Sequence, residues 1–252
     1  MPEPSTLTTP QGRRIAWHQN PGRSPGVVFL GGFASDMTGT KAQHLQAWAA
    51  RSGRAFVRFD YSGHGASGGD FAALAIGDWL ADARAVITAL THGPQVLVGS
   101  SMGGWIALLL ARALPDRVAG LIGIAAAPDF TEDSMWAGFT EAQRAEMAET
   151  GQVALPSDYG EPYIITRRMI EDGRDHLVLR SPLRVSAPVR LLQGTADRDV
   201  DMSVALRLLD HLDGPDIRLE LVKGADHRFS DACCLSRIVA TLEDVLAHVD
   251  AD

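Results

Sequence analysis

The chain has little cysteine, no basic stripe and no long apolar run. Its two cysteines, Cys233 and Cys234, are neighbours in a sequence of 252 residues. A bridge between adjacent cysteines needs strained geometry, so the pair reads as free thiols. Two adjacent thiols also offer no ligand spacing, so no metal is expected. A net charge of −8 without a basic stripe argues against nucleic acid as a partner. No apolar run approaches the roughly 20 residues that cross a bilayer, so no membrane span is expected. The start, Met1-Pro2-Glu3-Pro4-Ser5, lacks a basic stretch followed by an apolar core, so no secretory signal is expected either. The expected compartment is therefore reducing and cytoplasmic. Neither an internal repeat nor a low-complexity segment is visible.

The remainder is ordinary for a globular protein, with 46% apolar and 21% charged residues. The length suits one α/β domain with an insertion. Short apolar runs that read as strands cover 14–18, 26–30, 55–59, 95–99, 118–126, 189–193 and 217–222. Runs with helical spacing cover 40–52, 78–90, 105–113, 202–212 and 235–249. Strands alternating with helices of this size predict an α/β fold, a mostly parallel central sheet with helices on both faces. The rhythm breaks after Asp129. Helices are expected at 140–149 and 167–172, with an irregular or hairpin segment at 151–166 between them. This stretch is too long for a plain loop. The expected organisation is a core of 1–129 and 181–252 with a cap inserted at 130–180.

Gly99-Ser100-Ser101-Met102-Gly103 stands between the strand at 95–99 and a helical run. Gly-x-Ser-x-Gly in that context is the signature of a nucleophile elbow, a tight turn that presents the serine at the sheet edge. Glycines at the flanking positions let strand and helix approach without a clash. A serine hydroxyl needs a base, and the base needs an orienting acid. In this architecture the chain order is Ser, then Asp or Glu, then His. Ser101, Asp197 and His227 follow that order. His227 lies in the loop after the last predicted strand, and Asp197 lies at the end of the strand at 189–193. Asp199 and Asp129 remain alternatives for the acid. Asp201 reads as a helix cap, and Asp226 as structural. The oxyanion donors are expected to be the amides of Met102, after the nucleophile, and Phe33, beyond Gly31-Gly32. Gly63-His64-Gly65 lacks the lysine of a phosphate-cradling loop, so it reads as a tight turn, with His64 as a turn residue.

These residues, with Gly31-Gly32-Phe33 and the turn at 60–67, resemble the α/β-hydrolases from about residue 12 to 250. Gly39-Thr40-Lys41-Ala42, Phe59-Asp60-Tyr61-Ser62-Gly63-His64-Gly65, Gly99-Ser100-Ser101-Met102-Gly103-Gly104-Trp105 and Asp226-His227-Arg228 resemble a narrower subgroup. Its members are the mitochondrial palmitoyl-protein thioesterases, which also cleave acyl glucuronides, and their bacterial homologues. The resemblance implies hydrolysis of acyl esters or thioesters without a cofactor. It also implies a small-molecule acyl ester or thioester as the partner, with a protein thioester as the alternative substrate. The family often has His-Gly or Pro-Gly where this chain has Gly31-Gly32, so the local pocket is expected to differ.

Other hydrolases of this class carry an aspartate at the elbow (dehalogenases and epoxide hydrolases), and Ser101 argues against those. Esterases, lactonases, cofactor-free haloperoxidases and carbon–carbon bond hydrolases share the triad and stay open. So do a ligand-binding module without turnover and an interaction module acting through the cap. The apolar cap residues Met135, Trp136, Phe139, Tyr159, Tyr163, Ile164, Ile165 and Met169 suggest an apolar acyl chain. Gly32, Trp136, Phe139 and Tyr163 are the expected substrate-binding residues.

Overall fold

The structure, a computed structural model, describes residues 3–156 and 162–250. The first half runs β1 (Ser5–Thr8), β2 (Arg14–Asn20), β3 (Arg23–Leu30), α1 (Thr40–Ser52), β4 (Arg54–Phe59), α2 (Ile76–Leu90), β5 (Gln95–Ser100), α3 (Met102–Ala113) and β6 (Val118–Ile124). A π-helical turn (Thr131–Trp136), α4 (Glu141–Thr150), β7 (Gln152–Leu155), β8 (Tyr163–Thr166) and α5 (Arg167–Asp175) follow. The chain ends with β9 (Leu183–Arg184), β10 (Val189–Gly194), α6 (Met202–His211), β11 (Leu212–Asp213), β12 (Ile217–Val222) and α7 (Ala232–Val249).

Eight strands make one sheet in the order β1-β2-β4-β3-β5-β6-β10-β12. It is parallel from β4 to β12, and β2 joins β4 antiparallel. Period-two alternation sorts each strand's side chains onto two faces. Val28, Leu30 and Leu97 face the core that holds α2 and α3, including Trp79 and Ile106. Val27, Phe29, Val96 and Val98 face the core that holds α1 and α7, including Leu45 and Leu242. Each such fully buried aliphatic side chain contributes roughly 1.5–3 kcal/mol. Apolar on both faces, these strands read as near-continuous apolar runs.

Several boundaries differ from the sequence expectation for local reasons. Helix α2 starts at Ile76, because the Asp78 carboxylate reaches back to the Ala75 amide (3.1 Å). Helix α7 starts at Ala232, where the Asp231 side chain caps it by accepting from the Cys234 amide at 2.8 Å. Strand β1 was not expected. It is four mostly exposed residues and carries no readable period.

The segment after β6 is tied to the sheet and its helices. Asp172 of α5 accepts from the Gly77 amide at the start of α2 (2.7 Å), and Arg168 pairs with Asp78 (2.6 Å). Gly173 is obligatory there: a β-carbon would fall 2.2 Å from the Thr131 hydroxyl. Within the segment at 151–166, β7 and β8 pair antiparallel, with Val153 opposite Ile165; residues 157–161 lie outside the described residues.

Candidate active site

Five non-glycine residues have positive φ among the described residues: Ala34, Ser101, Ala125, Asp129 and Phe229. All follow the carboxyl ends of sheet strands, the edge where open α/β sheets bind ligands. Backbone strain of this kind is held in place only where the surroundings enforce it. At Ser101 (φ 53°, ψ −118°) the enforcement is visible. Its amide donates to the Ile124 carbonyl (2.9 Å), and its own carbonyl accepts from Gly104 (2.9 Å) and Ala127 (3.1 Å). A β-carbon on Gly99 would sit 2.2 Å from the Gly103 carbonyl oxygen, and one on Gly103 would sit 2.1 Å from the Leu30 carbonyl oxygen. These two glycines are therefore steric requirements of the turn.

Ser101 and His227 line one cavity of about 890 Å³, together with Gly32, Phe33, Phe130 and Tyr163. The His227 Nδ1 lies 2.9 Å from Oδ2 and 3.1 Å from Oδ1 of Asp197. Asp197 has no exposed side-chain surface, while His227 retains 19%. Burial pushes the Asp197 carboxyl up, but the His227 bond and the Val200 and Asp199 amides outweigh it and hold it below the usual carboxylate range. The imidazole Nδ1 thus faces a carboxylate that its own hydrogen bonds favour in the ionised form and hold in place.

Asp197 itself is fixed from β10. The Gln193 carboxamide nitrogen donates to its Oδ2 at 3.0 Å, and that nitrogen also faces the carbonyls of Gly194 and Val200. Three acceptors around one atom identify it as the NH2 end of the amide. The sequence reading missed Gln193. Its only signal was a polar residue at a position of the strand where apolar ones are usual. Asp197, Asp199 and His227 also hold donor atoms within 4.8 Å of one another. Both Asp197 oxygens already receive hydrogen bonds, two amides on Oδ1, and Gln193 and His227 on Oδ2. That suits an orienting acid better than a cation ligand.

The competing acids are elsewhere occupied. Asp129 is buried and accepts the Val178 and Leu179 amides (2.8 and 2.9 Å), fastening the returning chain after α5. Asp199 lies in the turn that folds onto Asp197. Asp201 caps α6 through the Ser203 amide (2.8 Å), as expected. Asp226 accepts the Phe229 amide (3.1 Å), a structural role.

Beside Ser101 lies the loop after β3. A β-carbon on Gly32 would be 3.4 Å from that of Ser101. The Gly32 carbonyl accepts the Ser35 hydroxyl at 2.8 Å. Met102 is wholly buried at the first position of α3, where a helix leaves its amides without intrahelical acceptors.

Of the expected substrate-binding residues, Gly32 and Tyr163 line the cavity. Trp136 and Phe139 do not. Trp136 lines a separate groove of about 300 Å³, with the Arg144 and Arg174 guanidinium groups 5.2 and 5.0 Å from its ring. Phe139 packs against Trp136 with ring centroids 5.7 Å apart and is buried. Within the π-helical turn the neighbours diverge, as consecutive helical residues do: Met135 lines the cavity while Trp136 lines the separate groove. Ile165 and Met169 belong to the core, and Tyr159 lies outside the described residues.

A parallel sheet with a strained serine between β5 and α3, and a His–Asp pair on the loops after β12 and β10, defines an α/β-hydrolase of the serine type. The Hydrolase_4 family model (serine aminopeptidase, S33) matches residues 25–175, and the chain belongs to this family. It is 36% identical over 244 residues to the rat (Rattus norvegicus) mitochondrial palmitoyl-protein thioesterase ABHD10, covering 96% of this chain and 82% of that protein. Among solved structures it superposes on a putative hydrolase from Agrobacterium vitis with a TM-score of 0.93 and 41% identity, covering 97% of this chain and 99% of that one. Mouse α/β hydrolase domain-containing protein 10 gives a TM-score of 0.91 and 34% identity, covering 98% of this chain and 100% of that one. Among the described residues no helix is long and apolar enough to cross a membrane.

Proposed function

We propose that the protein is a serine hydrolase that cleaves acyl esters or thioesters through an acyl-serine intermediate. His227 takes the Ser101 proton as the hydroxyl attacks the acyl carbonyl. Asp197 holds the imidazole tautomer and stabilises its charged form. The amides of Met102 and Phe33 receive the oxyanion, each such donor contributing about 3 kcal/mol in the transition state. The leaving group departs with the proton from His227, and water then hydrolyses the acyl-serine with His227 again as base. The observation that carries this reading is the Asp197–His227 pair, its imidazole on the cavity that Ser101 lines. The identity to palmitoyl-protein thioesterases supports a thioester as the bond cleaved.

The segment at 130–180 acts in this proposal as a cap over the core of 1–129 and 181–252. Phe130, Met135 and Tyr163, which line the cavity, give the acyl chain apolar contacts. The cytoplasmic location belongs to the same proposal; the free thiols Cys233 and Cys234 support a reducing compartment, and the mitochondrial location in the relatives' names is the competing reading. Cell fractionation tests it directly.

The deciding experiment compares wild type with Ser101→Ala on a series of p-nitrophenyl esters and acyl thioesters of graded chain length. Turnover and fluorophosphonate labelling should both vanish in the variant. Labelling that persists undiminished would remove Ser101 from the nucleophile's role.

A further inference from the structure

His64 lies in the turn after β4 and is only 3% exposed. The turn is pinned by the Asp60 carboxylate, which accepts the amides of Met37 (2.5 Å) and Ala66 (2.8 Å). Both imidazole nitrogens of His64 have backbone partners. Nδ1 lies 3.1 Å from the Ser62 carbonyl oxygen, and Nε2 lies 3.2 Å from the Ala34 amide nitrogen. A carbonyl can only accept and an amide can only donate, so the tautomer is fixed: Nδ1 carries the proton and Nε2 offers the lone pair. Burial lowers the His64 pKa, against smaller opposing effects of the Ser62 bond and Asp82, which keeps the ring neutral and Nε2 free to accept. The ring is wedged edge-on among Phe71 (5.0 Å), Trp79 (5.2 Å) and Tyr61 (5.7 Å).

Ala34 follows Phe33 and has φ 52°, a conformation an alanine does not hold unaided. The peptide before Phe33 is fixed on its carbonyl side by the Ser35 hydroxyl on Gly32. In a trans peptide the N–H points opposite to the C=O, so the Phe33 amide is directed away from Ser35. The Phe33 ring is held by Phe71 (5.0 Å) and Tyr163 (5.4 Å). The peptide that follows Phe33 is anchored in turn, because its Ala34 amide donates to the His64 Nε2.

We propose that His64 is a positioning residue of the oxyanion hole: its lone pair holds the Ala34 amide and thereby anchors, at the cavity, the loop that carries the Phe33 amide. This rests on the serine-hydrolase reading above. The role lies beyond that of a turn residue, which the Nδ1 bond to Ser62 alone would fill.

Two near-isosteric substitutions separate the two bonds. His64→Gln places a carboxamide oxygen where Nε2 stood and keeps the acceptor for Ala34. His64→Asn reaches only as far as Nδ1 and keeps the donor to Ser62. On the best ester or thioester substrate, His64→Asn should lower kcat at least about tenfold with KM within about twofold, because a misaimed donor weakens only the transition state. A boronic acid inhibitor should bind it more weakly by a similar factor, while His64→Gln should recover most of both losses. Equal kcat in the Asn and Gln variants, or a larger loss in Gln, overturns the proposal. Amide exchange on the boronate-bound wild type decides the matter if a variant does not fold: Ala34 should be strongly protected, and exchange at the rate of an open loop refutes the clamp. A Ser101→Ala variant that still turns over would refute the serine reading itself. Loss of activity in Ser101→Ala with a fully active His64→Asn would refute only the role of His64.

Discussion

The Gln193 carboxamide and the Nδ1 of His227 meet at one atom, the Oδ2 of Asp197, at 3.0 and 2.9 Å. The acid is thus clamped between a strand residue behind it and the imidazole before it. Gln193→Leu keeps the bulk and deletes the donor. Losing one such bond to a charged acceptor costs about 1.5–3 kcal/mol, so kcat should fall on the order of tenfold to a hundredfold with KM little changed. Steady-state kinetics on one thioester checks this, and unchanged kcat would mean that the two amides on Oδ1 fix the acid alone.

Asp197 and Asp129 respond oppositely to the same substitution. Asp197→Asn keeps its oxygen on the Asp199 and Val200 amides and turns an NH2 toward Nδ1 of His227, which forces the wrong imidazole tautomer, and should lower kcat by about 10³–10⁴. Asp129→Asn keeps an acceptor for only one of the Val178 and Leu179 amides, which bond different carboxylate oxygens, so it should cost stability yet leave kcat near wild type. Asp129→Ala strips both buried amides of their acceptor and should destabilise the fold by on the order of 3 kcal/mol. Parallel kinetics and urea denaturation separate the roles. A near-normal rate for Asp197→Asn would move the acid's role to Asp129 or Asp199.

Lys41 carries a prediction about pH. It lines the cavity, and its ammonium donates to the Arg228 carbonyl. Burial is the main cause, only partly offset by Asp226, that brings its pKa down to about 8. Between pH 8 and the ordinary lysine value near 10.4, the unfolded chain then binds more protons than the native state, and stability rises with pH. Lys41→Met removes this dependence. The stability of wild type relative to the variant, read from urea midpoints, should therefore grow from about pH 7.5 to 10. A difference flat across that range would mean that the amine titrates as it does in water.

Residues that act through short-range chemistry were legible in the chain. Gly99 and Gly103 flank Ser101 because strand and helix must nearly touch there, and Asp201 precedes α6 because helix starts lack acceptors. The central strands β3, β5 and β6 were legible because burial on both faces makes their runs at 27–30, 96–98 and 118–124 apolar, whereas the mostly exposed β1 carried no such signal. The pairing of Asp197 with His227 was inferred from chain order, since no local signal distinguishes Asp197 from Asp199 two residues on.

What the sequence determined by itself was therefore the alternation of strands and helices, the turn at Ser101 and the short list of acids and bases. Each depends on neighbours within a few positions, where backbone sterics and side-chain period act directly. Only the tertiary structure decided which carboxylate meets the imidazole, that Trp136 and Phe139 turn away from the cavity while Met135 and Tyr163 face it, and that His64 grips Ala34. Those outcomes depend on which segments, distant along the chain, pack side by side, and that is set by the packing of the whole sheet and its helices.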